Sequence, residues 1–460
     1  MGTRWDPEFV PTIPGTAWPG LIGGEEAARL ASVFQLERTQ WLSPEALVTR
    51  QLDQARRVVA HARRTIPLYG KRLSEAQIDP REPLTSERWR DIPILTRAEV
   101  QSAGQKLLSQ AVPRPHGKIK WTETSGSTGE PVKVATTAVA GHFWKVFTLR
   151  DHLWHRRDFM GKLAAIRFLE GSGSDSRQRS SPSWGSATRD VFRTGPSASL
   201  HIGSSIDAQA GWLKRENPDY LLTYPSNLEA LIRHCSARGI RPPKLREVRT
   251  LGEIVTPQLR EACREEWGLP LVDMYTSQEF GYIALQCPDC DDLHVQAENV
   301  LVEILDDAGQ PCAPGETGRV VVTGLQNFAM PLIRYEIGDH AVPGGPCGCG
   351  RGLPVLTSVL GRTRNMLVTE SGEQRWPVVG YTRFREIAPV RQLQAIQKSF
   401  TALHVRVVVE SPLSASQEEE LKTVLRNALA HPFEITLEYL DRIPPGKSGK
   451  FEQFKNELTP

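Results

Sequence analysis

Between residues 163 and 300 the chain alternates short β-prone apolar runs, at 163–166, 220–223 and 271–274, with amphipathic helical stretches at 228–235 and 259–267. Strands alternating with helices predict an α/β sheet. At 460 residues the chain is long enough for a large core and more than one folded unit. Ahead of this stretch, Leu52, Ala55, Val58, Val59 and Ala62 recur at three- and four-residue spacing, and Thr96 with Glu99 fits a capping box, so 1–100 reads as a helical lead-in. From 295 to 360 short strands punctuated by turns predict a β-rich subdomain. In the last hundred residues Leu403, Val405, Val407 and Val409 alternate as a half-buried strand. Ser416 and Glu419 then fit a capping box ahead of Leu421, Val424, Leu425, Ala428 and Leu429, and Ile435, Leu437 and Tyr439 alternate again, the pattern of a small α+β domain. The Gly/Ser-rich stretch 171–188 is too polar to pack and reads as a surface loop.

Charge narrows the partners. With 56 Lys and Arg against 53 Asp and Glu and no long basic run, neither a nucleic-acid surface nor an anionic-membrane surface is favoured. No run of eighteen apolar residues occurs and the first twenty residues lack the apolar core of a secretion signal, so a cytoplasmic protein is expected. Seven cysteines in such a chain argue against a disulfide framework. Cys235, Cys263 and Cys312 stand alone and are expected as small buried hydrophobes. Cys287-x-x-Cys290-x-x-x-His294 and Cys347-x-Cys349 have the spacing of metal ligands. Four thiolates, or three with His294, would make a closed tetrahedral zinc site, structural in role because no coordination position stays open.

The stretch richest in chemistry is TETSGSTGEPVKV at 122–134. Gly126 and Gly129 let the backbone turn its N–H groups toward one point, while Thr124, Ser125, Ser127 and Thr128 add hydroxyl donors, the combination a polyphosphate needs. A Ser/Thr/Gly hairpin between two strands has the same composition. The spacing of a Walker loop is absent.

SGSTGEP at 125–131, YTSQEFG at 275–281, RYEIGD at 334–339, GRTRNML at 361–367 and SGK at 448–450 together resemble the adenylate-forming superfamily of acyl-CoA ligases, adenylation domains and luciferases. IPLY at 66–69, PILT at 93–96 and PDYLLTYPS at 218–226 draw the resemblance toward the phenylacetate-CoA ligase family and its capsular-polysaccharide-type relatives. It implies an AMP-binding domain over 1–363 and a small mobile α+β lid over 364–460. The implied reaction joins a carboxylic acid to ATP as an acyl adenylate with Mg2+, then passes the acyl group to coenzyme A. Transfer to an amine, a sugar amine or a carrier-protein thiol is the alternative within the same fold, and a non-catalytic nucleotide-binding relative a further one. A homodimer would be compatible with the family.

The resemblance also implies roles. The loop from Thr124 through Ser125, Gly126, Ser127, Thr128 and Gly129 would hold the β- and γ-phosphates. Glu279 would bind Mg2+, with Tyr275 and Gln278 beside the nucleotide. Gly252 and Glu253 would border the nucleotide and, with Ile254, the acyl pocket. Asp339 would accept hydrogen bonds from both ribose hydroxyls, Arg362 would lie near the ribose and the hinge, and Lys450 would be the lid cation that stabilises the adenylation transition state. His142, Phe143 and Trp144 would also line the acyl pocket, where Phe143, Trp144, Phe280 and Tyr282 would make an aromatic slot suited to an aryl or arylacetic acid. Three places depart from the family pattern: Gln278 stands where a Thr or Ser is usual, Arg364 and Asn365 replace the usual hinge residues, and Gly372-Glu-Gln-Arg-Trp-Pro377 replaces the loop bordering the acceptor's path.

Overall fold

The computed structural model describes residues 7–123, 132–169, 178–361, 367–371, 387–429, 431–444 and 451–458, with backbone alone at 362 and 374–375. The loop residues Thr124 to Gly129, the hinge positions Arg364 and Asn365, four residues of the 372–377 loop and Lys450 lie outside it.

Ten α-helices are described: α1 (Gly24–Thr39), α2 (Pro44–Thr65), α3 (Pro67–Glu75), α4 (Ser86–Arg90), α5 (Arg97–Ala103), α6 (Ala138–Trp154), α7 (Ile206–Glu216), α8 (Pro225–Ser236), α9 (Pro257–Ala262) and α10 (Ala415–Leu429). The strands run in chain order from β1 (Lys120–Glu123), β2 (Lys133–Thr136), β3 (Leu163–Arg167), β4 (Gln178–Ser181) and β5 (Ser197–His201) to β6 (Tyr220–Thr223), β7 (Glu247–Leu251), β8 (Leu271–Ser277), β9 (Gly281–Gln286) and β10 (Leu293–Val295). They continue with β11 (Val300–Leu305), β12 (Gly318–Gly324), β13 (Tyr335–Pro343), β14 (Val355–Arg362), β15 (Leu367–Val368), β16 (Gln374–Arg375), β17 (Val390–Gln397), β18 (Ala402–Val409), β19 (Glu434–Tyr439) and β20 (Phe454–Asn456).

The large sheet has the order β11-β12-β13-β14-β10-β9-β8-β7-β6-β3-β5-β4. Strands β5, β3, β6, β7 and β8 are parallel. From β8 onward through β9, β10, β14, β13, β12 and β11 every pairing is antiparallel. The expected α/β sheet is therefore present, with its helix-connected strands parallel, and the β-rich stretch after 295 hydrogen-bonds into the same sheet. Helices α7, α8 and α9 cover the parallel half, burying Trp212, Leu228, Leu231 and Leu259 with Leu221 and Val248 of the sheet. Helix α2 buries Ala55, Val58, Val59 and Ala62 at their three- and four-residue spacing, packing the lead-in against Val300, Val320 and Val322 of the antiparallel half. A proline at its first turn and Ser43, whose hydroxyl accepts from Ala46, start that helix.

The C-terminal sheet has the order β19-β18-β17-β20, with α10 laying Leu421, Leu425 and Leu429 on Leu403, Val405 and Val407. Three local readings are corrected. The box that starts α10 is Ser414 with Gln417, two residues before the expected Ser416 and Glu419, because Leu413 packs on the domain core and fixes the entry point. Residues 178–181 of the Gly/Ser-rich stretch form edge strand β4, paired antiparallel with β5. Cys312 is only half-buried, whereas Cys235 and Cys263 are buried as expected.

Candidate active site

Strands β6, β7 and β8 each deliver a short segment at their carboxyl ends: Tyr224 to Ser226, Gly252 to Ile254, and Gln278 to Phe280. In open α/β sheets this is where ligands bind, because the strand ends and helix N-termini leave a crevice there. Gly252 has φ +77°, which turns the chain sharply out of β7. Glu253 next to it accepts the backbone N–H of Ser226 on Oε2 at 2.9 Å, supplying the first turn of α8, whose N-cap Tyr224 makes no side-chain cap. Its other oxygen, Oε1, accepts the backbone N–H of Phe451 at 2.7 Å, which joins the C-terminal sheet domain to the crevice.

Tyr275 on β8 donates its hydroxyl to Asp339 Oδ2 at 2.7 Å. Three strands separate β8 from β13 in the hydrogen-bonding order, so the antiparallel half curls to bring these residues together. Asp339 faces Arg362 across β13 and β14. Gly361 beside it has φ +85°, a backbone conformation that favours glycine, and the Ile254 side chain of the 252–254 loop packs over it. Glu279 lies in the turn after β8, held where Phe280 N–H meets Ser277 Oγ at 3.1 Å. It is buried, and its Oε1 has no hydrogen-bond partner among the described residues. A buried carboxylate oxygen without a partner is costly unless a cation meets it, so this side chain fits a divalent ion. Gln278 is exposed in the same turn.

The segments flanking the 125–131 loop are β1 and β2, paired antiparallel with Glu123 opposite Lys133, whose ammonium lies 3.0 Å from the Glu123 carboxylate. The hairpin architecture and a phosphate-gripping tip are thus compatible.

The aromatic slot is corrected. Phe143 and Phe147, one turn apart on α6, both face the core, and Tyr282 is 6% exposed with its hydroxyl 3.1 Å from Thr148 Oγ1. Trp144, one residue on and so rotated about 100° around the helix, is half exposed and stands against the Gly281 backbone. Phe280 is half-buried and approaches Gly324. His142 points instead to Ser32 of α1, 3.1 Å away, and burial pushes its imidazole pKa down. Of the expected set, Trp144 is the exposed ring, and Phe280 is half-buried in the segment that follows β8.

The cysteine cluster forms. The donor atoms of Cys287, His294, Cys347 and Cys349 all lie within 4.8 Å of one another, with Cys287 Sγ 3.8 Å from Cys347 Sγ and Cys349 Sγ 3.3 Å from His294 Nε2. Tetrahedral zinc with thiolate bonds of about 2.3 Å requires sulfur separations of about 3.8 Å. Backbone N–H groups of Asp289 and Arg351 point at Cys287 Sγ and Cys349 Sγ, each at 3.5 Å. Burial pushes the His294 pKa down to about 4, leaving the neutral imidazole that a metal needs, while burial pushes the Cys347 thiol up to about 11. The donor set fits a divalent metal. Cys290, exposed and 3.6 Å from Cys347, stands at the edge of this group with Asp292.

Arg334 is a residue the sequence reading missed. Its guanidinium holds Glu303 through Nε at 3.0 Å and Nη2 at 2.9 Å, and Nη1 donates to the carbonyls of Arg90 and Ile92. It thereby ties the lead-in to β13, the strand that carries Asp339. The PILT and RYEIGD segments that it joins were visible, but their meeting was not.

Residues 198–330 match the AMP-binding enzyme family, and residues 371–457 match the CapK C-terminal domain. The chain is 27% identical over 340 residues to phenylacetate-coenzyme A ligase of Thermus thermophilus, covering 71% of this chain and 73% of that one. The Pseudomonas putida phenylacetate-coenzyme A ligase is 24% identical over 347 residues, 72% of this chain and 74% of the relative. Among solved structures, 2-hydroxyisobutyryl-CoA ligase in the postadenylation state superposes with a TM-score of 0.68 at 17% identity, covering 89% of both chains.

Proposed function

We propose that this chain, a member of the adenylate-forming superfamily on the side of the phenylacetate-CoA ligases, joins a carboxylic acid to coenzyme A through an acyl adenylate. The observation that carries the reading is the Tyr275–Asp339 hydrogen bond, which brings two motif segments 64 residues apart into one crevice at the strand ends. Tyr275 fixes the orientation of the Asp339 carboxylate, so that it meets ribose hydroxyls without reorganising. Arg362, opposite Asp339 on the neighbouring strand, borders the same place. Glu279, with its buried unpartnered oxygen, would hold Mg2+, which when bound supplies charge neutralisation for the nucleotide phosphates.

In the first step a carboxylate oxygen attacks the α-phosphorus of ATP. The bond from that phosphorus to the bridging oxygen breaks, and the electron pair leaves with pyrophosphate. Donors in the 124–129 loop and the Lys450 ammonium meet the charge that builds on the phosphates. In the second step the acceptor thiol loses its proton to solvent and its sulfur attacks the acyl carbon. The acyl-to-phosphate bond then breaks and AMP departs. Trp144, half exposed on α6, and Phe280, in the segment after β8, support a flat aryl or arylacetic acid as the substrate. The Cys287, His294, Cys347 and Cys349 group would hold zinc in a structural role, away from these steps. No described helix is long and apolar enough to cross a membrane.

The test is pyrophosphate release over a panel of arylacetic, aryl, hydroxy and fatty acids with ATP, Mg2+ and coenzyme A. Release with an aryl or arylacetic acid, with the matching thioester formed, is expected. Product only when an amine replaces coenzyme A would overturn the acceptor, and ATP binding with no release on any acid would overturn the reaction.

A further inference from the structure

We infer that Glu253 and Arg233 dock the C-terminal domain on the crevice, and that Glu253 is a positioning residue for Lys450. This rests on the adenylation reading above and assigns Glu253 a duty different from bordering the nucleotide. Glu253 is half-buried, and its two carboxylate oxygens receive two backbone N–H groups from different parts of the molecule. One belongs to Ser226 at the start of α8, a bond internal to the large domain. The other belongs to Phe451, the residue that follows Lys450 in the chain. A carboxylate receiving an amide is a charge-assisted hydrogen bond, stronger than a neutral one, and it restrains the donor's position along the chain.

A second contact lies at the other end of the same helix. Arg233, in the last turn of α8, donates from Nη1 to the backbone carbonyl of Arg391 on β17 at 2.5 Å and also pairs with Glu229 at 3.5 Å. Helix α8 is therefore linked to the C-terminal domain twice, through Glu253 at its first turn and directly through Arg233 in its last. The first contact adjoins the strand-end crevice, and the second lies about two helical turns along α8 from it. Ser226 and Arg233 are seven residues apart, so at about 1.5 Å per residue α8 separates the two attachment points by about 10 Å. Two separated contacts restrict the orientation of the domain more than one contact could.

The mobile lid that the resemblance implies would take one pose for adenylation and another for acyl transfer, and a contact used in only one pose affects only the step that pose performs. Glu253→Ala should lower kcat for pyrophosphate release by about ten- to a hundredfold, the scale of one lost hydrogen bond to a charged group. Arg233→Ala should lower it by about three- to tenfold on the same scale. Neither should raise KM for ATP. Both variants should convert supplied adenylate of the acid best used by the wild type, with coenzyme A, at wild-type rate. Glu253→Gln, which keeps one acceptor oxygen, should fall between Glu253→Ala and wild type.

A raised KM for ATP with unchanged kcat in Glu253→Ala would make the residue a nucleotide contact and overturn the proposal. Equal loss of both half-reactions in Glu253→Ala and Arg233→Ala would make them structural. Should Glu253→Ala fail to fold because α8 loses its first-turn acceptor, the partly exposed Arg233 still decides: unchanged pyrophosphate release in Arg233→Ala overturns the docking face. A wild type that releases no pyrophosphate on any acid fails the reading beneath, whereas an active wild type with unaffected variants fails this inference alone.

Discussion

Arg334 is 3% exposed and φ there is +47°, an unusual conformation for a side chain of its size, yet its guanidinium is occupied by Glu303 and two carbonyls. Removing one partner of a buried ion pair leaves the other charge unanswered. Arg334→Met should therefore destabilise the fold by about 3–5 kcal/mol, measured by denaturant unfolding, and Glu303→Gln in the same background should recover part of that. Asp273 is answered differently. Burial lifts its carboxyl to about 6, against the hydrogen bond from Thr250 and the charge of Arg260. Its folded pKa exceeds the unfolded value near 3.8, so the native state holds a proton that the unfolded chain lacks between those values. Stability should then fall as pH rises from about 4 to about 6 and stay lower above. Asp273→Asn, which keeps an acceptor for Thr250, should gain about 1–3 kcal/mol relative to wild type between pH 4 and pH 7. A difference independent of pH would contradict this. Glu279 and Asp339 were named by the resemblance alone. Arg334 was not legible, because its partners are backbone carbonyls more than two hundred residues away.

The segment Gly344 to Gly352 shows how an element without regular structure is held. Gly352 donates to the carbonyl of Gln40, and a Cβ on it would lie 1.8 Å from the Leu42 carbonyl oxygen, so the loop touches the α1–α2 junction backbone to backbone. Arg351 beside it lies between Trp41 and Trp154, its guanidinium carbon 4.9 and 4.8 Å from their ring centres, and donates to Gln40 Oε1 at 3.0 Å. The cysteine cluster thus adjoins the clasp between the lead-in and the sheet. Purified protein should carry about one zinc per chain. Chelation should lower the melting temperature by about 5–10 °C, and Cys347→Ser should lower it equally and abolish the chelator's effect. Metal-free protein with an unchanged melting temperature would remove the site. The Cys and His spacing made this cluster readable, but which donors converge depends on β9, β10 and the 344–352 loop meeting in space. Periodicity served the elements well and its limits were local. Two Ser-x-x-Gln/Glu boxes overlap ahead of α10, and only the packing of Leu413 selects the first. On α6 the apolar stripe hid that Phe143 turns inward while Trp144 turns out.

Across the whole molecule, one sheet supplies the crevice and a second, smaller sheet supplies the segment that follows Lys450. Alternating strands and helices announced the first and the terminal β-α-β pattern the second, but their contact through Glu253 and Arg233 is a matter of docking that no local pattern encodes. If Glu253 acts by placing Lys450, the two side chains are coupled, and a double-mutant cycle measures that coupling where single variants cannot. Lys450→Ala should remove most pyrophosphate release while leaving conversion of supplied acyl adenylate near wild type, and Lys447→Ala should be far milder. In the Lys450→Ala background, Glu253→Ala should cost nothing further in the residual first step, because there is no longer an ammonium to position. A full additive loss, with the same ten- to hundredfold penalty appearing with or without Lys450, would mean that Glu253 serves the crevice by another route, since independent groups contribute independently. Arg233→Ala should follow Glu253→Ala in this cycle, becoming silent once Lys450 is gone. A cycle that closes for Glu253 but not for Arg233 would confine the coupling to the crevice and leave the far end of α8 as a structural contact.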